Sequence, residues 1–213
     1  MPLQNRVTPE GAIVATPHRG TLLGNRGGCF HRDDQTLKRR HFASTQWICC
    51  VLEFKNRHRR LMQPGLYTEL FFLDEATALA AGHRPCFECR RADAEQFAHL
   101  WNAARSLPGR ATAPEMDAVL HRQRIDDTYA KVISRGTLAG LPDGAFVRTP
   151  HGPALVCGGR LWPWGFDGYG SPVPAQGGIM AEVLTPPAII AILALGFRPR
   201  LHPTLIASGN RAA

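Results

Sequence analysis

The chain has 213 residues, 44% of them hydrophobic and 20% charged, which provides apolar material for a core and length for one domain plus a smaller one. Its longest apolar run, 188–196, is about half the ~20 residues that cross a bilayer, and the N-terminal MPLQNRVTPEG lacks the charged-then-apolar pattern of a secretory leader, so a cytoplasmic setting is the expectation. The formal net charge of +8 favours an anionic partner, nucleic acid being the commonest.

In chain order, 11–28 mixes short apolar runs with glycines and predicts short strands and turns. A basic stretch, 31–44, carries Lys38, Arg39, Arg40 and His41. QWICCVLEFK (46–55) is rich in β-formers and predicts a strand. KNRHRR (55–60) predicts a basic turn, followed by a second strand over 67–73. Asp74 is placed to cap a helix over 75–81, with Gly82 just past its end. A second helix over 93–105 is predicted from Phe97, Leu100, Trp101 and Ala104 at helical spacing. SLPGRATAP (106–114) reads as a linker, and 114–125 as a short helix opened by proline. LPDGAFV, ALVCGGRLWPW and IMAEVL then read as strands parted by Asp-Gly, Gly-Gly and proline-rich turns, before a proline-led helix over 186–195. The expected fold class is α+β: a zinc-stabilised β-β-α domain over 1–107, then a second small α+β unit over 108–213. LAAGHRP and LALGFRP echo each other, and a shared way of stopping a helix explains the echo better than duplication does.

Five of the six cysteines lie in the first ninety residues. Thiols in a reducing compartment are unlikely to pair as disulfides, so metal binding is their leading use. In GHRPCFECRR (82–91), Cys86 and Cys89 follow a helix instead of opening one, which suits a zinc knuckle better than a thioredoxin-like redox pair. The flanking Arg84, Arg90 and Arg91 are expected to favour thiolates. Strand alternation chooses the third ligand. Cys50 shares a face with Ile48, Leu52 and Phe54, whereas Cys49 sits with Trp47, Val51 and Glu53, so Cys50 is expected to point inward to the metal. For the fourth ligand, spacing leaves Cys29, His31 and His41 open.

LDEATALAAGHRPCFECRRAD resembles the second half of the zinc-binding domain of the Ada-type DNA phosphotriester repair proteins, and GNRGGCFHRDD (24–34) resembles a Phe-His-Arg segment of some relatives. The resemblance spans about residues 20–95. It implies His31 as fourth ligand, giving a site of His31, Cys50, Cys86 and Cys89 around Zn²⁺. The cysteine such relatives carry a few residues after the histidine is absent here; the next ones are Cys49 and Cys50. The resemblance further implies contact with DNA backbone, and the basic residues Lys38, Arg39, Arg40, Lys55, Arg57, Arg59, Arg60, Arg90 and Arg91 are the expected contacts. A zinc-thiolate methyl acceptor is an alternative, weakened by the lower negative charge of a Cys₃His site. Another is an enzyme, of hydrolase or nuclease type, with its site in the second half. There Asp117 and His121 stand four apart on one helix face and form a candidate carboxylate–imidazole pair.

Overall fold

The sequence Glu-Ala-Thr-Ala-Leu-Ala occupies the centre of the molecule. The computed structural model describes residues 1–56 and 60–205, and in it this segment is helix α1 (Glu75–Ala80), with all six residues buried. Three core clusters meet on it. Ala78 packs with Val7, Ile13, Leu22, Phe30, Leu70 and Phe72. Ala76 and Ala80 pack with Phe146, Leu155, Trp162, Tyr169 and Leu184. Leu79 joins Phe97, Trp101, Met116, Leu120, Ile192 and Phe197. A helix enclosed on several sides must carry small side chains, and alanine supplies them with the best helix propensity of any residue.

Both ends of α1 form as the sequence predicts. Asp74 accepts from the Thr77 amide at 2.9 Å and the Thr77 hydroxyl at 2.8 Å. Its other carboxylate oxygen accepts from the Tyr169 hydroxyl at 2.7 Å and the His202 amide at 3.0 Å, so the cap also ties the two halves of the chain together. At the other end Gly82 (φ +83°) donates to Leu79 O and His83 to Ala78 O, the paired bonds of a Schellman stop. Helix α4 (Pro187–Ala194) ends the same way, with Gly196 (φ +99°) donating to Leu193 O and Phe197 to Ile192 O. The sequence echo is this shared stop.

The first sheet contains β1 (Gln4–Val7), β2 (Ile13–Ala15), β3 (Leu22–Arg26), β4 (Trp47–Cys50), β5 (Leu70–Phe72) and β6 (Arg84–Pro85), in the order β2-β1-β5-β3-β4-β6. The β1/β5 and β4/β6 pairs are parallel and the others antiparallel. Helices α2 (Arg91–Ala104) and α3 (Ala113–Arg124) follow, the latter opened by a Thr112–Glu115 capping box. The second sheet is antiparallel: β7 (Ser134–Thr137), β8 (Phe146–Thr149), β9 (Gly152–Cys157), β10 (Arg160–Gly165), β11 (Gly168–Tyr169), β12 (Val173–Pro174) and β13 (Met180–Val183) run β11-β10-β9-β8-β13-β7, with β12 on β10. Gly158 and Gly159, both at positive φ, make the tight turn between β9 and β10.

The fold is therefore α+β. Each sheet lies wholly on one side of the 107/108 boundary, but the cores do not: α2 and α3 pack against α4. The aromatic segment 160–170 belongs to this shared interior, with Trp162 donating to Cys157 O and Trp164 to Thr77 Oγ1. No helix among the described residues is long and apolar enough to cross a membrane.

Candidate metal centre

Strand β4 ends where the site begins. The stretch of β-formers predicts pairing through Lys55, yet the strand stops at Cys50. The next amide, of Val51, turns to Cys89 Sγ instead of continuing the ladder. Parallel pairing of β4 with β6 sets Ile48 against Arg84 and Cys49 against Pro85, and the Cys86 amide donates to Cys49 O at 3.0 Å. That register carries the Cys86–Cys89 turn alongside Cys50. The Sγ atoms of Cys50, Cys86 and Cys89 consequently all lie within 4.8 Å of one another.

Alternation along β4 assigns the cysteines as expected, with the burial reversed. Trp47 and Cys49 face the interior, Cys49 being wholly buried, while Ile48 and Cys50 are half-buried. Cys50 opens onto a cavity of about 470 Å³ lined by Leu23, Ile48, Phe54, Leu61 and Phe71 together with the three thiols. Glu53, Glu69 and Glu88 also line it. The apolar residues that share Cys50's face wall this cavity and do not enter the core. Cys49 is instead held by Arg90, whose Nη1 donates to its Sγ at 3.5 Å.

Three thiols this close cannot ionise independently. Hydrogen bonds from Cys50 and Cys89 hold the Cys86 thiol well below its usual value, aided by the amides of Cys89 and Glu88. Cys50 moves strongly upward, chiefly because its proton is donated to Cys86. Such a cluster carries one thiolate readily and the others only with a cation at its centre. About a zinc ion with Zn–S bonds of ~2.3 Å, three sulfurs would stand ~3.8 Å apart, so the donor set fits with a small contraction.

No known protein family, curated protein or solved structure matches the chain. The assignment therefore rests on the geometry.

The other residues expected at the site lie elsewhere. His31 is buried, its Nδ1 2.7 Å from Thr68 Oγ1 and its Nε2 3.1 Å from Gln63 O. The carbonyl takes Nε2 as a donor and Thr68 engages Nδ1, so His31 pins the loop before β5 and leaves neither nitrogen for the thiols. Cys29 sits beside it, 3.8 Å from Nδ1. His41 lies in a different pocket. Among the described residues the three cysteines alone form a group able to hold a metal ion.

The arginines of the motif have structural duties. Arg84 makes a bidentate pair with Asp117, at 2.9 and 2.7 Å, with both side chains buried. Arg90, also buried, pairs with Glu75 at 2.7 Å and Asp93 at 2.8 Å, which removes it from any nucleic-acid face. The expectation that these two activate the thiols yields to carboxylates, which bind guanidinium more strongly than a thiol does. Asp117 and His121 do not act as a pair either: His121 Nδ1 lies 3.0 Å from Arg124 Nη2, while Asp117 is held by Arg84. Their four-residue spacing describes an ordinary helix, each residue reaching a different neighbour.

Lys38, Arg39, Arg40, Lys55, Arg60 and Arg91 are exposed. The loops carrying the first five touch each other, Gln35 Nε2 donating to Leu61 O at 3.0 Å. Arg91 is partnered by Glu95 at 3.1 Å. Arg57 and Arg59 lie outside the described residues.

Proposed function

We propose that this chain is a zinc protein that binds nucleic-acid backbone, DNA in the first instance, through the basic loops of its first half. The observation that carries the reading is the convergence of a strand cysteine and a C-x-x-C turn to within 4.8 Å. Tetrahedral, thiolate-rich coordination is what zinc takes, and the three cysteines would supply three of its four ligands. The Ada-type resemblance of 73–93 points the same way. The touching loops of Lys38, Arg39, Arg40, Lys55 and Arg60 support a continuous basic surface of the kind that meets phosphates without reading sequence.

Elemental analysis of the purified chain tests the metal, with about one zinc per chain expected and a marked loss in Cys50→Ser. Metal-free protein that folds normally would overturn the reading. Fluorescence anisotropy with a DNA duplex at several salt concentrations tests the partner. Affinity should fall steeply with salt, and Lys38→Ala/Arg40→Ala should flatten that dependence. Binding indifferent to salt would remove nucleic acid from the proposal.

One observation favours a second reading, that of methyl acceptor: Cys50 and Cys89 stand half-buried on the cavity wall instead of being sealed inside. A thiolate there would form an S–CH₃ bond as the O–CH₃ bond of a phosphotriester breaks, leaving the phosphodiester anion. Mass spectrometry after incubation with methylated DNA should then show one added methyl on a cysteine, and an unmodified chain would dispose of this reading.

A further inference from the structure

On the opposite face of β4 from the thiols lies a second pocket, of about 250 Å³, between β3, the loop before β4 and the C-terminal end of α3. Its cationic lining is Arg26, Arg39, Arg124 and Lys131, with His41 beside them. The one carboxylate on its wall, Glu10, is 3.2 Å from Arg148, outside the pocket. It shares no lining residue with the thiol cavity.

Arg26 is 3% and Arg124 1% exposed, and among the described residues neither has a carboxylate partner. Register sets Arg26 opposite Trp47, and the two guanidiniums lie on the Trp47 ring, at 4.0 Å and 3.9 Å from its centroid. Their remaining bonds go to neutral acceptors. Arg26 donates to Gly11 O and His83 Nε2, and Arg124 to Gly82 O and Thr45 O, with its Nη2 also 3.0 Å from His121 Nδ1. Arg124 Nε has no partner at all. Lys131 donates to Ala80 O. Arg124 also feels the charge of Asp117, but both oxygens of that carboxylate are held by Arg84.

Stacking on Trp47 explains how two arginines pack; it does not explain why a lysine and a third arginine face the same space. Buried charges in proteins are paired, because an unpaired one keeps neither its hydration nor a counter-charge. Burial accordingly lowers Arg26 to about 9, and burial with the neighbouring guanidiniums lowers Lys131 to about 7. The two buried guanidiniums, of Arg26 and Arg124, lack the same thing, a paired anion.

We propose that this pocket binds the phosphate group of a phosphomonoester. A tetrahedral dianion offers enough acceptor oxygens for Arg26, Arg124 and Lys131 together, and guanidinium forks suit phosphate geometry. Exposed Arg39 adds a fourth cation to the lining. Phe42 and the half-exposed Tyr129, whose rings meet edge to face at 5.4 Å, form an aromatic rim for the organic part of the ligand. The site depends on neither the zinc nor the backbone-binding reading, since a terminal phosphate differs from a chain phosphodiester.

Inorganic phosphate titrated into the full chain, by calorimetry and by thermal melting against sodium chloride of matched ionic strength, tests this directly. The wild type should gain melting temperature with phosphate and not with chloride. Arg39→Ala, at an exposed position, should weaken phosphate by about tenfold, and Lys131→Met should abolish the shift. Lys131→Met should also melt higher than wild type without phosphate, because it removes an uncompensated cation. Absence of a phosphate-specific shift in the wild type, or an equal shift in Arg39→Ala, overturns the proposal, even if Lys131→Met fails to fold. Two oligonucleotides then identify the source. Tighter binding of a 5′-phosphorylated strand than of its 5′-hydroxyl twin makes the ligand a strand end. Equal binding of the two, with phosphate still held in the pocket, makes it a small phosphorylated molecule.

Discussion

Strand β4 separates two pockets of opposite chemistry. On one face Cys50 joins Cys86 and Cys89 in a cluster of acidic groups that a cation would complete. On the other, Trp47 carries Arg26 and Arg124 in a cluster of bases that an anion would complete. Alternation gives β4 a different set of side chains on each face, because successive side chains of a strand point to opposite faces, and the fold brings the other residues of each pocket to them. Four residues, Trp-Ile-Cys-Cys, thus serve two sites. Gly24, paired with Cys49 across the sheet, keeps β3 close: a Cβ there would come within 2.4 Å of the Phe72 ring and 2.6 Å of Ile48 O.

The sharpest way to break this contrast is to change neighbouring cysteines in turn. Cys50→Ser should lose bound metal and destabilise the first sheet by a large part of the ~10–16 kcal/mol that structural zinc supplies, as read by elemental analysis and urea unfolding. Cys49→Ser, one residue away on the other face, should keep its metal and show only the cost of a hydroxyl in a tight core. If both variants lose metal equally, alternation does not divide the sites.

A second test contrasts satisfied and unsatisfied cations. Asp117→Ala strands buried Arg84 and should cost about 3–5 kcal/mol, whereas His121→Ala, half-buried, should cost much less. Chemical denaturation measures both. A small cost for Asp117→Ala would mean that Arg84 finds another partner, and the contrast with Arg26 and Arg124 would lapse.

The pH dependence of stability gives a gentler measure. Lys131 titrates near 7 in the folded chain against 10.5 when free, through burial first and then Arg26 and Arg124, with Glu10 opposing and Arg148 adding. The unfolded chain binds this proton more tightly, so in phosphate-free buffer stability should rise as pH climbs from about 7 towards 10.5. Lys131→Met should flatten that rise in urea midpoints taken across the window. A slope unchanged in the variant would assign the effect to another group, Arg26 above about 9 being the next. The smallest effect belongs to Arg91→Ala. Its exposed pair with Glu95 should be worth no more than about 0.5 kcal/mol and its loss should leave metal content unchanged.

Much of the local structure was legible in the sequence because it depends on neighbours along the chain. The Asp74 cap, the Gly82 and Gly196 stops, the proline-opened α3 and α4 and the Gly158-Gly159 turn follow from backbone rules that operate within a few residues. Strand β1 escaped notice because QNRV has no apolar alternation to announce it, and its place is set by pairing with β2 and β5. The packing of α4 on α2, across the expected 107/108 division, has no signal in the sequence, since no composition shift reveals it.

The sequence by itself determined the C-x-x-C turn and that Cys49 and Cys50 face opposite ways, because turn chemistry and strand parity are local; which of those faces is the interior it did not contain, for Cys49 is the buried one. Only the tertiary structure decided the rest. His31 is held by Thr68 and Gln63, Asp117 by Arg84, and Arg90 by Glu75 and Asp93, each through contacts that bridge distant parts of the chain or depend on burial. A charged or ligating side chain serves whichever partner the fold brings within about 3 Å, and spacing in sequence does not contain that distance. The cluster of Arg26, Arg124 and Lys131 is the extreme case: cations from two distant stretches of chain, made into one site by the way β3, α3 and the segment after it close around Trp47.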